Sequence, residues 1–568
     1  MIDIIGIGFV VATLLAYIGI AIRMKAETVE EFYVAGRKVS AIRNGMATAA
    51  DWMSGASFVS MAGAVALLGY DAGPFLLGWS LSYVLLAMLI APFLRKYGKY
   101  TIPDFFEDRY YSKIARLVAV IMTYVVSLTY LTGQLAAVGV VMSRVFGVDK
   151  SIGALIAPLL VLLYSSFGGM KSITWTQVAQ YMVLITAYWL PIVLVGAMLG
   201  LWNPIPHIAY GSIVGEVDKL YKQLNVLEGH TWTEPFVRGI GKGSGELNWL
   251  LSTAGLMFGT LGLPHILMRF YTVPDVKQAR MSVAWSLLFI GLLYLTAPVY
   301  AALASYKILQ DLYAVAMPLN GQPIDVVREA LMKEAWIRKW MVTGLVGIKD
   351  LNHDGIFQYP KELFVHKDII VLGLPDMYGL GPLVAAFVAV GGLSAALSTA
   401  DGLILAMTTA ATHDFYKTLI RPEATEKEEV KVARIAMVAI AIIAGVIAYL
   451  QINNPVIGAY VAKTVGWAFA FAAATLSPAM ILGIFWKRTT KEAAIIGMLV
   501  GLGVTLPYVI GVELGLIQPI EVLGSKIGSI AWGVVGFFTN LVTTIIVSLI
   551  TPPPPEHVQK LVEDIRKP

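Results

Sequence analysis

The chain alternates long apolar stretches with shorter polar ones, and the apolar stretches outrun the helices of a soluble core. One helical crossing of a bilayer takes about 20 mostly apolar residues. Runs of that kind, about thirteen in all, lie near 3–22, 44–68, 75–94, 114–146, 152–167, 174–200, 249–270, 283–307, 380–412, 432–450, 457–485, 493–512 and 529–551. Between the first span and the thirteenth the connecting segments are polar and mostly short. The fourth, ninth and eleventh spans exceed a straight crossing and are expected to tilt, bend or project beyond the bilayer. The run at 4–22 has no small-residue cleavage pattern, so it reads as a span and not as a secretory leader.

Lys and Arg in short connections set the orientation. Arg23, Lys25, Arg37, Lys38 and Arg43 follow the first span, and Arg95, Lys96, Lys99, Arg109 and Lys113 follow the third. Lys417, Arg421, Lys427 and Lys431 follow the ninth, and Lys487, Arg488 and Lys491 the eleventh. The alternate connections 69–74 and 451–456 have none, and 513–528 has only Lys526. The N-terminus is therefore expected outside and the tail, with its prolines at 552–555, in the cytoplasm. Two long outer segments, 201–248 and 308–378, are too long to vote.

Composition agrees with this pattern. Of 568 residues, 57% are hydrophobic and 14% charged, with a mean hydropathy of +0.73; a soluble domain carries about 25% charged residues. An integral protein of the plasma or inner membrane, with the lipid bilayer as solvent, is the expected class. The net charge is only +5 and the basic residues fall between apolar spans, which excludes a nucleic-acid-binding surface. With 0 Cys, thiol catalysis, disulfide frameworks and Cys-based zinc sites are excluded. No paired His/carboxylate motif at metal spacing and no nucleophile–base arrangement marks an enzyme.

Two spans carry small and polar residues at membrane depth. The second contains Ala49-Ala50-Asp51-Trp52-Met53-Ser54-Gly55-Ala56-Ser57, and the seventh Gly255, Gly259, Gly262 and Pro264. Such residues weaken a helix, and freed carbonyls are tolerated only where they line a cavity. Small residues also serve helix packing. The two segments stand five spans apart, the spacing that two inverted five-helix repeats give to a pair of broken helices around a central site. The expected fold is all-α, with about thirteen crossings and a core of two such repeats. The divisions are a peripheral first span and loop at 1–43, a first repeat at 44–200, an outer loop at 201–248, a second repeat at 249–485 and two peripheral spans with a tail at 486–568.

Several motifs, in order, resemble the sodium:solute symporter family of sodium-coupled proline, pantothenate, sugar and acetate carriers. They are Glu31-Phe32-Tyr33-Val34-Ala35-Gly36-Arg37, Asp51-Trp52-Met53-Ser54-Gly55-Ala56-Ser57, and Gly98-Lys99-Tyr100-Thr101-Ile102-Pro103-Asp104. Then come Tyr164-Ser165-Ser166-Phe167-Gly168-Gly169-Met170-Lys171 with Trp175-Thr176-Gln177, Gly262-Leu263-Pro264-His265, Leu393-Ser394-Ala395-Ala396-Leu397-Ser398-Thr399 and His413-Asp414-Phe415-Tyr416. The resemblance runs from Phe32 to about Arg488 and is closest to the acetate and short-chain monocarboxylate branch. It implies a leucine-transporter-like fold and import of a small organic solute with sodium by alternating access.

Sodium is a hard cation that takes oxygen ligands. Ser398 and Thr399 are adjacent hydroxyls in an apolar span, with Ala395 one turn earlier on nearly the same face; such hydroxyls also back-bond to the preceding turn. The resemblance assigns sodium to the carbonyls of Ala50, Met53 and Ala395 and the hydroxyls of Ser398 and Thr399. The solute is expected beside it, at Ser54, Gly55 and Ser57 of the second span and Phe258, Gly259 and Thr260 of the seventh, where helix ends offer amides to a carboxylate. Some relatives have aromatic residues where this chain has Leu256 and Thr260, which favours a smaller solute. Some also carry Asp where this chain has Gln177, so a second sodium there lacks its charge.

Asp51 and Asp401 flank these ligands and are candidates for coupling, together with Gln177. Each acid either takes up a proton when sodium leaves, or caps an unwound segment or pairs with a basic side chain. His265 follows Pro264 and reads as structural or as a proton carrier. Lys463 is an intramembrane charge, a functional candidate by default unless it reaches the outer surface. In the outer loop, Asp350, Asn352, Asp354 and Gly355 match the first half of a calcium loop, with Lys361 where the last acid belongs and Glu362 one residue late; a capped turn is the other reading. Rival functions are a carrier of another solute, proton coupling, or a membrane sensor. A sensor calls for a large cytoplasmic domain after the last span, where only the short tail stands.

Overall fold

The computed structural model describes residues 3–165, 169–201, 210–226, 244–454 and 460–567. Every expected span falls on helix in its described part. Ten described helices are long and apolar enough to cross a membrane, and counting the bent seventh span makes eleven. That is fewer than thirteen because the second span is interrupted, its outer half runs on into the third as one helical stretch, Ala56–Leu89, and the fifth is a shorter apolar helix. Of the outer loop 201–248, residues 202–209 and 227–243 lie outside the described residues, as do 166–168. Two short hairpins, Val346–Ile348 with Leu363–Val365 and Glu521–Val522 with Ser525–Lys526, are the strands among the described residues.

Local chemistry sets the helix ends. The Asp3 carboxylate accepts from the Gly6 amide at 2.9 Å and starts the first span. Reciprocal caps of Thr101 with Asp104 and Thr425 with Glu428 start Ile102–Arg109 and the tenth span, Glu426–Asn453, each satisfying two otherwise orphaned amides. Gly147, at φ 66°, stops the long fourth span, Lys113–Phe146. The tenth span turns Ile435, Val438, Ile442, Ile443, Val446 and Leu450 outward, the face that lipid covers.

The breaks fall where the sequence weakens the helix. In the second span Ala41–Trp52 ends at Met53 (ψ 63°), and helix resumes as a π-helical turn, Ala56–Ser60, and then Met61–Leu68. In the seventh, Glu246–Thr260 stops, and the chain restarts at Pro264 with a 48° bend. Proline has no N–H to give a preceding turn and suits the first position of a helix. The eleventh span is also divided, into Val461–Ala474 and Leu476–Phe485. Asn540 of the thirteenth satisfies that break by donating to the carbonyls of Ala474 and Thr475 at 2.9 and 2.8 Å. The ninth, Pro382–Thr409, is continuous and extends as π-helix through Ala410–Ile420.

Glycines let several spans meet backbone to backbone. A methyl group at Gly259 would strike the Phe469 carbonyl, one at Gly501 the Ala474 carbonyl, and one at Gly533 the Ala470 backbone. The seventh, eleventh, twelfth and thirteenth spans are thus packed at closest approach, as small residues permit in membranes.

Candidate functional site

The second and ninth spans meet at the break in the second. Ser398 Oγ donates to the Ala50 carbonyl at 2.6 Å and lies 2.9 Å from the Ala395 carbonyl. Thr399 Oγ1 donates to the Asp51 carbonyl at 2.7 Å, with the Ala395 carbonyl 3.4 Å away. All of these residues are fully buried. The structure therefore brings together four of the five expected sodium ligands, Ala50, Ala395, Ser398 and Thr399. The Asp51 carbonyl joins them. Met53 is the residue at which the helix turns off, and its amide still closes on Ala49 at 2.7 Å. Two hydroxyls and three carbonyls grouped in a buried setting suit a hard monovalent cation.

The Asp51 side chain leaves this group and meets Arg269, from Met268–Tyr271 at the far end of the bent seventh span. Arg269 Nε donates to Asp51 Oδ2 at 3.0 Å, and neither residue touches solvent. The same guanidinium reaches Thr174 Oγ1 at 3.1 Å and the Gln177 carbonyl oxygen. Gln177 passes the contact on by donating Nε2 to the Ser398 carbonyl at 2.8 Å. Asp51 and Gln177 are thus joined through a cation that the reading of the sequence did not single out. Its signal was available: Arg269 is a lone charge at the end of an apolar span, and such a charge calls for a partner.

Asp401 takes a different direction. Ser394 and Asp401 lie seven residues apart and face the first span, where Tyr17 Oη and Ser394 Oγ are 2.6 Å apart and Asp401 is within electrostatic reach of Tyr17. Asp51 packs instead against Gly402, where a methyl group would strike its Oδ1.

The expected solute residues separate into two groups. The Gly55 amide donates to Gln134 Oε1 at 2.8 Å, Ser54 Oγ accepts from the Ala56 amide at 3.2 Å, and Ser57 Oγ lies 2.9 Å from Tyr294 Oη. These three sit among the buried rings of Trp52, Tyr83, Tyr130 and Tyr294. On the seventh span, Thr260 back-bonds to the Leu256 carbonyl at 2.9 Å and Gly259 lies against the Phe469 backbone. Phe258 turns to the thirteenth span and stacks on Phe537, centroids 4.4 Å apart. The ring of Phe469 links the two regions, 5.6 Å from Trp52, 5.6 Å from Trp79 and 5.8 Å from Tyr130. Around it lie buried polar atoms with no hydrogen-bond partner among the described residues: Trp79 Nε1, Tyr83 Oη, Gln134 Nε2 and both nitrogens of His265. His265 packs edge-on against Tyr130, centroids 5.2 Å apart.

Lys463 pairs with Glu513 of the twelfth span at 2.7 Å. In the outer loop, Asp350 accepts from the amides of Asp354 and Gly355, Asn352 donates to Asp354, and Asp354 caps the Ile356 amide at 2.7 Å. Glu362 accepts from the amides of Leu351 and Gln358. The oxygens of Asp350, Asn352 and Asp354 are thus spent on N–H groups of their own loop, the arrangement of a capped turn, and nothing beyond the spacing supports calcium there.

A different group of acids and imidazole converges at the polar ends of the spans. Ligand atoms of Asp104, His413 and Asp414 lie within 4.8 Å of one another. Arg116 threads this group, bound to Asp104 and to Glu107 (2.5 Å) and 3.6 Å from Asp414, so its charges are paired internally. Asp104, outside the spans, is pushed up by burial and pulled down further by His413 and Arg116, to about 2.

The model of the sodium:solute symporter family matches residues 32–343 and 369–501. An uncharacterized symporter of Cupriavidus necator is 32% identical, over 99% of this chain and 94% of its own. The uncharacterized symporter YwcA of Bacillus subtilis is 29% identical, over 84% of this chain and 80% of its own. A solved Na+-coupled sialic acid symporter, substrate-bound and outward-open, superposes with a TM-score of 0.67 at 15% identity, covering 97% of this chain and 98% of that one. That likeness gives the fold, leucine-transporter-like with two inverted repeats. With the family model matched across most of its length, the chain is a multi-pass membrane carrier and belongs to the sodium:solute symporter family.

Proposed function

We propose that this carrier imports a short-chain monocarboxylate such as acetate together with sodium, by alternating access. Sodium is bound by the carbonyls of Ala50, Met53 and Ala395 and the hydroxyls of Ser398 and Thr399, with the Asp51 carbonyl beside them. The solute lies at the break of the second span, near Ser54, Gly55 and Ser57. The repeats run over 44–200 and 249–485, and the N-terminus is outside.

One observation carries the solute class. The unpartnered buried polar atoms around Trp52 and Phe469 include three donors, the Trp79 indole, the Tyr83 hydroxyl and the Gln134 amide. Donors held in an apolar setting favour a small ligand rich in acceptors and short in apolar bulk, and each is costly if left unpaired. A two-oxygen carboxylate on a methyl or ethyl group fits. Among the residues named for the solute, Phe258 and Gly259 are assigned to packing and Thr260 to the wall.

The test is uptake into proteoliposomes of labelled acetate, propionate, proline, pantothenate and glucose, with and without an inward sodium gradient. Acetate or propionate uptake that needs the gradient supports the reading. Gradient-driven uptake of another solute alone replaces the substrate, and uptake indifferent to sodium overturns the coupling ion.

A further inference from the structure

We propose that Arg269 is the positioning residue that ties the seventh span to the sodium site, holding one wall through Asp51 and the other through Gln177. The inference rests on the sodium assignment above. Asp51 supplies its backbone carbonyl to Thr399 and its carboxylate to Arg269. Gln177 supplies its amide nitrogen to the Ser398 carbonyl and its oxygen to the same guanidinium. The two bonds from Arg269 therefore end one residue from each half of the hydroxyl pair, on the second span and, through the sixth, on the ninth.

Arginine suits this role for a physical reason. Its guanidinium offers five donors in a fixed plane and stays charged in a buried setting. Here the plane serves Asp51, Gln177 and Thr174 at once, with Met170 Sδ 3.3 Å from Nη1. The Arg269 backbone is anchored in turn: its carbonyl accepts from Asn44 Nδ2 at 3.3 Å and from Thr272 Oγ1 at 2.7 Å. Arg269 stands beyond the 48° bend of the seventh span. A tilt of that short helical end pulls on Asp51 and on Gln177 together, so the spacing of the sodium oxygens follows the attitude of the seventh span. By reciprocity, a bound sodium holds the seventh span in the attitude that spacing requires.

A buried ion pair that merely held the fold would lower stability when broken and leave sodium recognition alone. The two roles separate in one assay: thermal unfolding of the purified full chain in detergent, titrated with sodium against choline at constant ionic strength. The readout is the sodium concentration giving half of the sodium-dependent rise in melting temperature. The parent, Arg269→Gln and Arg269→Lys are compared. Arg269→Gln is expected to raise that concentration about tenfold or more, the effect of losing a charged hydrogen bond of at least 1.5 kcal/mol. Arg269→Lys keeps the charge but reaches a single partner, and is expected to fall between, about threefold; it also reads the effect should Arg269→Gln fail to fold. Variants whose half-saturation stays within twofold of the parent, whatever their melting temperature in choline, overturn the proposal alone. A parent that sodium does not stabilise overturns the sodium assignment and this proposal with it.

Discussion

Ser398 and Thr399 each have one hydroxyl proton and two carbonyls within reach. Carbonyls of two spans surround these hydroxyls, and in the proposed site a cation would take both kinds of oxygen as ligands. Replacing both with Ala is expected to raise the sodium needed for half-maximal uptake tenfold or more, about thirtyfold if each of the two lost ligands contributes about 1 kcal/mol; unchanged sodium dependence in properly inserted protein refutes the assignment. Gly402 supplies a second residue-scale test. A methyl group there meets Asp51 Oδ1, and Asp51 cannot step aside because Arg269 holds it. Overpacking costs about 1–3 kcal/mol, so Gly402→Ala is expected to weaken sodium-dependent uptake about tenfold, against little effect for Gly8→Ala on the open face of the first span. The hydroxyl pair was legible in the sequence because polar residues stand out in an apolar span. Arg269 was not paired from sequence because its partners lie 218 and 92 residues away, at Asp51 and Gln177, and only tertiary packing closes those distances.

At the scale of elements, both breaks were legible, from the glycines, the proline and the polar run. What the breaks face was not. Phe258 and Gly259 sit on the same weak segment as Thr260, yet one stacks on the thirteenth span and the other abuts the eleventh; helical phase alone does not say which neighbour each side meets. The outer loop illustrates the same limit, since Asp350, Asn352 and Asp354 share a calcium spacing but spend their oxygens on amides. Millimolar calcium is therefore expected to leave the melting temperature of the purified protein unchanged. The same loop has a pH-sensitive element. Burial pushes His366 down to about 4, with Asp368 opposing and Lys150 adding. A histidine depressed in the folded state is protonated first in the unfolded one. Its contribution is thus complete above about pH 6.5 and lost as pH falls toward 4. Hydrogen exchange at 345–369, corrected for intrinsic rates, should show weaker protection at pH 5 than at pH 7.5, and His366→Gln should flatten that difference.

At the scale of the whole molecule, the peripheral spans are not ornaments on the repeats. The C-terminal helix Glu556–Arg566 buries Val558, Val562 and Ile565, and Lys487–Glu563 (2.8 Å) and Arg566 to the Phe485 carbonyl (3.1 Å) dock it below the eleventh span. The thirteenth span is fixed higher up by the Phe258–Phe537 stack and by Asn540 in the break of the eleventh. Because the chain has 0 Cys, the pair F258C/F537C can be bridged by a short reagent with two thiol-reactive ends, such as a bis-methanethiosulfonate, in an otherwise inert background. Bridging is expected to leave more than half of sodium-driven uptake intact; abolished uptake would show that the two helices part during the cycle.

The backbone-to-backbone seams at Gly259, Gly501 and Gly533 have a mechanical meaning. Carbonyls set against missing side chains interlock, and interlocked surfaces resist sliding. The seventh span's first half, the eleventh, the twelfth and the thirteenth are thus keyed together, and the 48° bend marks where the seventh leaves them. If the carrier alternates access as proposed, the breaks in the second and seventh spans are where it would bend, and the Arg269 bonds are what would join the second half of the seventh span to the second.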